Sequence, residues 1–246
     1  AIPLSSDPNG QAPNHRNQDF PFRAHLGGRI VTSSPQSSSH SVMQLIPIEI
    51  PGILVGRFEK CSDNKREDER QRISLLLRRV FPHDTPQIGH LPSGKPILDS
   101  AHNISISHTG SYGAIYVTPS SLIPGIDIEM LSDRALRVAP RFMNEQEYEW
   151  LMSADKARRR LLATIIWSAK ETAYKIFNPS DASLKRFDAA FPFDLPSENT
   201  LFSFELIYSD SCTGDILIPV QALCIGEFIL TCACHCSHSA NSRSRI

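Results

Sequence analysis

The chain has 246 residues, a size that suits one large domain or two small ones. Its 25 Lys and Arg against 26 Asp and Glu leave a formal charge of −1, which argues against a protein whose main work is coating nucleic acid or an anionic membrane. No apolar run approaches the ~20 residues a transmembrane helix needs, whereas a hydrophobic share of 41% is ample for a core.

Residues 1–41 are dominated by Ser, Pro, Asn, Gln and Gly without a lasting hydrophobic period, so they are expected to form a disordered arm. They lack the basic start and apolar core of a signal peptide, and the expectation is a cytoplasmic protein with its six cysteines reduced. Residues 43–55 are rich in β-formers but broken by Pro47 and Pro51, which predicts edge or split strands. Over 63–81, Ile73, Leu76, Leu77 and Val80 recur at helical spacing until Pro82 ends the run. A turn-rich linker containing Gly94-Lys95-Pro96 leads to strands at 103–107, 112–117 and 123–129, the first two joined by Thr109-Gly110-Ser111.

The second half starts with helices. A short one is predicted over 133–138, ending near Pro140, and Asn144 with Glu147 resembles a capping pair for another through Met152. The strongest helix is predicted over 156–177, with Leu162, Ile165, Ile166, Ala169, Ala173 and Ile176 on one side and Asn178-Pro179 as its stop. Strands follow at 201–208, 215–223 and 227–234. The order strands–helix–strands thus occurs twice, before and after about residue 122, without a detectable sequence repeat.

Asp127 and Glu129 are two apart on a predicted strand, so both carboxylates share one face while Ile126 and Ile128 enter the core. Such an oxygen pair suits a hard divalent cation, and it equally suits a strand ending in solvent. Glu171 and Lys175 are helical neighbours at i and i+4; alone they are compatible with an exposed ion pair. Lys95 on a turn, with Ser107 and His108 at a strand end, offers a cation and polar donors for phosphate oxygens. Lys156, Arg158, Arg159 and Arg160 either receive an acidic partner helix or simply solvate a helix start. Cys232, Cys234 and Cys236 share a strand face in a C-x-C-x-C spacing that fits small thiols better than a metal site.

Taken together, Gly125-Ile126-Asp127-Ile128-Glu129, then Trp167-Ser168-Ala169-Lys170-Glu171-Thr172-Ala173-Tyr174-Lys175, with Gly94-Lys95-Pro96 and Ser107-His108-Thr109 upstream, resemble the 4′-phosphopantetheinyl transferases of the larger, monomeric surfactin-type class. Thr172 and Thr109 depart from the Ala or Ser and the Ser of the family pattern without removing a charge. The resemblance implies an α+β fold of two pseudo-symmetric halves, each a small antiparallel sheet on a long helix. The halves would be 42–122, with the nucleotide contacts of coenzyme A, and 123–236, with the metal and catalytic residues; a polar tail follows at 237–246.

It also implies an enzyme that moves the 4′-phosphopantetheine of coenzyme A, its substrate, onto a serine of an apo acyl or peptidyl carrier protein, releasing adenosine 3′,5′-bisphosphate. Asp127, Glu129 and Glu171 match the ligands of Mg²⁺, for which Mn²⁺ could substitute. Glu171 matches the general base and Lys175 the lysine at the leaving phosphate, with Lys170 helping to hold the pyrophosphate. Lys95, Ser107 and His108 match nucleotide contacts, and Arg66 and Arg70 on the first long helix are candidates for the 3′-phosphate. Partners would be the carrier protein and coenzyme A, with neither nucleic acid nor membrane, and the protein would be a monomer. The alternatives are another metal-dependent phosphoryl-transfer enzyme or nuclease, and an inactive protein that binds coenzyme A or the carrier.

Overall fold

In the computed structural model, which describes residues 43–60, 62–181, 183–190, 193, 200–210 and 214–237, two antiparallel sheets carry the fold. The expected arm at 1–41 lies outside the described residues, as does the expected tail apart from Ser237. Pro47 and Pro51 divide the first apolar stretch into β1 (Met43–Ile46) and β2 (Ile53–Phe58), which pair antiparallel with Met43 opposite Phe58. Helix α1 (Lys65–Val80) starts at Asn64, whose side chain accepts the N–H groups of Arg66 and Glu67. Its Ile73, Leu76 and Leu77 pack on Phe58, Ile115 and Val117; each fully buried side chain of this kind contributes roughly 1.5–3 kcal/mol.

The linker around Lys95 forms a two-stranded ribbon, β3 (Ile88–His90) with β4 (Pro96–Leu98), turned through Gly94 at φ +84. Three-residue strands leave too short a pattern to recognise in a sequence. β5 (His102–Thr109) and β6 (Tyr112–Pro119) form the expected hairpin, with Gly110 at φ +53. The first sheet has the order β1-β2-β6-β5.

Strand β7 (Leu122–Met130) opens the second sheet. Helix α2 (Asp133–Phe142) runs four residues past the predicted end, and Pro140 lies inside it. Pro140 stands on the exposed side, and the burial of Ala139 and Phe142 on the other side holds the last turn despite the missing N–H. Helix α3 (Glu145–Ser153) carries the complete Asn144–Glu147 capping box. Helix α4 (Lys156–Phe177) ends at Asn178 in the left-handed conformation, φ 46, which asparagine tolerates. After a 3-10 turn come β8 (Phe187–Ala189), too short to read in advance, β9 (Leu201–Asp210), β10 (Gly214–Ile225) and β11 (Phe228–Cys236). The sheet order is β7-β11-β10-β9-β8, antiparallel throughout.

The fold is therefore α+β, as expected. Ile165, Ala169, Ala173 and Ile176 of α4 pack on Phe204, Leu206, Val220 and Ile229 of the second sheet. The opposite face of that sheet meets the first sheet through Ile126, Ile128, Phe228 and Leu230 against Ile53, Val55, Tyr112 and Ala114. Along one border, β5 and β7 are joined by side chains: Ser105 Oγ accepts the Ile126 N–H at 3.1 Å, and Ser107 Oγ accepts the Ile128 N–H at 3.2 Å.

Candidate active site at the seam of two sheets

Alternation along β7 sends Ile126 and Ile128 between the sheets and turns Gly125, Asp127 and Glu129 the other way. Gly125 lets α4 settle close: a Cβ there would stand 2.3 Å from the Thr172 carbonyl oxygen. Asp127, 7% exposed, is gripped by three side chains from two elements. Its Oδ1 accepts from Ser107 of β5 at 2.9 Å and from Lys175 of α4 at 2.9 Å, and its Oδ2 accepts from Ser168 of α4 at 2.8 Å. Lys175 also donates to the Ile126 carbonyl at 2.8 Å.

Behind Asp127, a hydroxyl chain links Ser168 to Thr231 of β11 at 2.8 Å and Thr231 to Thr172 at 2.7 Å. The two threonines that depart from the family pattern are thus both used: Thr172 also donates to the Thr231 carbonyl, and Thr109 donates to Glu129 at 3.3 Å. Ser107 and Thr109, two apart on β5, serve Asp127 and Glu129, two apart on β7.

The three acids feel one another. Burial, then the charge of Asp127, pushes the proton affinity of Glu129 above its ordinary value. Glu171 is raised by the same causes in the same order, with Lys175 and Arg134 opposing. Among the described residues, no three His, Cys, Asp or Glu side chains stand ready arranged around a metal ion. The donor chemistry nevertheless fits a hard divalent cation: only carboxylate oxygens, crowded until two of them resist ionising. The arrangement is a repelling cluster partly neutralised by Lys175, not a finished coordination shell.

The other expected site residues divide into two groups. Lys95 arrives: its ammonium donates to the Ile176 carbonyl at 3.2 Å near the end of α4, and burial pulls its pKa down. With Ser105, Tyr174, Lys175 and Asn178 it lines a hollow of about 250 Å³. Ser107 supports Asp127 instead of facing a ligand, because its hydroxyl is committed to Asp127 and the Ile128 N–H. His108, next along β5, points away from Asp127 and lies 3.4 Å from Glu69 of α1. Arg66 is exposed and Arg70 pairs with Glu67 at 3.1 Å; neither lines the hollow beside Lys175. Lys170 is turned to the opposite flank of α4, fully buried, donating to Glu147 and to the Phe142 carbonyl at 3.0 Å. A sealed ammonium with both partners in place has no route to a pyrophosphate.

Sequence reading missed Ser105, Ser168 and Arg134, whose parts depend on pairings between distant segments. The cysteine row runs from the core to solvent, Cys232 buried with its thiol pushed up to about 12 by burial and Cys236 exposed. No helix among the described residues is long and apolar enough to cross a membrane.

Residues 124–220, which hold most of β7, all of α4 and all three acids, match the 4′-phosphopantetheinyl transferase superfamily. The chain is 32% identical over 84 residues to the 4′-phosphopantetheinyl transferase gsp of Aneurinibacillus migulanus, covering 33% of this chain and 34% of that protein. It is 32% identical over 88 residues to the 4′-phosphopantetheinyl transferase psf-1 of Bacillus pumilus, covering 34% and 36%. The chain thus spans about a third of the length of these two relatives. A crystal structure of a holo-(acyl-carrier-protein) synthase from Bacillus anthracis in complex with CoA (3′,5′-ADP) shares 16% identity and a TM-score of 0.32, covering 46% of this chain and 95% of that one. The resemblance drawn from the motifs agrees with this match: Asp127, Glu129, Glu171 and Lys175 all lie in the segment that matches the 4′-phosphopantetheinyl transferase superfamily.

Proposed function

We propose that this protein transfers the 4′-phosphopantetheine group of coenzyme A to a serine of an apo acyl or peptidyl carrier protein, releasing adenosine 3′,5′-bisphosphate. The observation that carries the reading is the crowding of Asp127, Glu129 and Glu171 beside Lys175 at the seam, within the segment that matches the superfamily. The serine oxygen forms a bond to the pyrophosphate phosphorus that bears the pantetheine, and the P–O bond to the nucleotide breaks. Glu171 accepts the serine proton. Lys175, 26% exposed, holds positive charge where the leaving phosphate departs. Lys95 closes the far side of the hollow for the nucleotide part.

Asp127, Glu129 and Glu171 would hold Mg²⁺ or Mn²⁺, which when bound offsets charge on the pyrophosphate oxygens. Ser107, Ser168 and Thr109 fix the two β7 carboxylates in place for that task. With this activity we also assign a monomeric, cytoplasmic enzyme.

The test is incubation with coenzyme A, Mg²⁺ and several apo carriers, read by intact-protein mass. A gain of one phosphopantetheine on a carrier, lost on chelation of the metal, is expected. Coenzyme A binding without such a gain on any carrier at any Mg²⁺ concentration overturns the assignment.

A further inference from the structure

Thr231 of β11 stands directly across from Asp127 of β7, the register position at which these two strands set a hydroxyl beside a carboxylate. Residues opposite each other in a ladder share a face, so both side chains turn toward α4. Ile229 and Ala233, two residues to either side of Thr231, pack in one apolar layer with Ala169, Ala173 and Ile176 of α4. Into this layer the chain sets three hydroxyls: Thr231, with Ser168 and Thr172 one helical turn apart on α4, all fully buried. Buried hydroxyls are tolerated only when they are hydrogen-bonded, and these three bond to one another.

Each hydroxyl has a single proton, and that fixes the direction of the row. Ser168 gives its proton to Asp127 Oδ2 at 2.8 Å. The 2.8 Å contact between Ser168 and Thr231 therefore has Thr231 as donor, and the 2.7 Å contact between Thr231 and Thr172 has Thr172 as donor. The Thr172 proton is shared with the Thr231 carbonyl, 3.2 Å away. All three O–H dipoles run toward Asp127, and donors aligned head to tail strengthen one another. Gly125 permits the close approach this needs, because a Cβ there would meet the Thr172 carbonyl oxygen. Oδ2 is thereby turned inward and held, while Oδ1 faces Ser107 and Lys175, whose side chain is 26% exposed.

Resting on the transferase reading above, we propose that Thr231 is a positioning residue for the cation site. Acting through Ser168, with Thr172 behind it, its hydroxyl locks the Asp127 carboxylate in the rotamer that keeps Oδ1 beside Lys175 and available to a divalent cation. Thr231 lies beyond residues 124–220, and Thr172 stands where the family pattern has Ala or Ser, so the motifs alone do not supply this row.

Mn²⁺ alone, titrated into the full-length protein and followed by the paramagnetic resonance of the free ion, tests the role without turnover. Thr231→Val keeps the side-chain shape and removes the hydroxyl. Its Mn²⁺ dissociation constant should rise about tenfold, the lower end of what losing an outer partner of a metal ligand costs. Thr231→Ser should keep the wild-type affinity. Ser168→Ala should weaken binding at least as much as Thr231→Val, and combining the two should cost nothing further. Should Thr231→Val fail to fold, Thr231→Ala against Thr231→Ser gives the same comparison, because those two differ by the hydroxyl alone. Unchanged Mn²⁺ affinity without the hydroxyl overturns the role. So does a Thr231→Ser variant as weak as Thr231→Val, and so do losses that add in the double variant. Wild-type protein that takes up no Mn²⁺ in the millimolar range overturns the role together with the cation site. Where the affinities follow the expected pattern but no carrier is modified, the transferase reading falls and the positioning role stands.

Discussion

Helix α4 separates two buried groups of charges, and they are built on opposite rules. On one flank Lys170 meets Glu147, both fully buried; Glu147 also accepts the N–H groups of Asn144 at 2.9 Å and Ala189 at 2.7 Å. Charge balances there, and every partner is a fixed part of α2, α3 or β8. On the other flank Lys175 pairs with Asp127 and acts on Glu171, while Glu129 and Glu171 are both driven toward holding their protons. The first group ties elements together. The second stores repulsion that a bound cation would relieve, as the proposed function requires. Adjacent residues, Lys170 and Glu171, therefore have unrelated tasks.

The largest blow to this contrast should come from Glu147→Ala, which strands a buried ammonium and removes an acceptor for two backbone N–H groups. A loss of about 3–5 kcal/mol is expected in denaturant unfolding, with turnover per folded molecule largely kept. A selective rise in the KM for coenzyme A in Lys170→Met, with stability intact, would break the division of labour. Next, Asp127→Ala should lower turnover by about 10²–10³-fold while the melting curve stays near that of the wild type. Full activity would remove Asp127 from the site. Gly125→Ala should cost about 1–3 kcal/mol and reduce turnover, because the new methyl group has to push α4 away from β7.

The smallest effect has the opposite sign. Burial and Asp127 raise Glu171, so the native chain keeps its proton to higher pH than the unfolded chain. Stability then falls as pH rises from the ordinary carboxylate range through the raised value. Glu171→Gln escapes that fall. Its melting temperature should exceed the wild type's at pH 7, and the difference should vanish below the ordinary range.

The acids themselves were legible in the sequence, because strand and helix periods are local. Two residues apart on β7 and four apart on α4 fix which side chains share a face. The helices and the hairpin were legible for the same reason. What periodicity could not supply was register between segments. Ser107 and Lys95 stand in comparable motifs, yet β5 lies against β7 so that Ser107 serves Asp127, while Lys95 reaches the end of α4. The Asn144–Glu147 cap was recognisable three residues apart; the second role of Glu147, 23 residues from Lys170, was not. Pro140 misled for a different reason. Its penalty is real, but the packing of Phe142 outweighs it.

Where β5 meets β7, two serine hydroxyls stand in for a backbone ladder. A ladder resists parting as a unit, whereas each hydroxyl is a separate latch that lets go by turning about a single bond. The Ser107 latch grips the Ile128 N–H and the Asp127 carboxylate together. A guest that wedges the sheets apart at this border would therefore also release a lone pair on Asp127, so that entry and arming become a single movement.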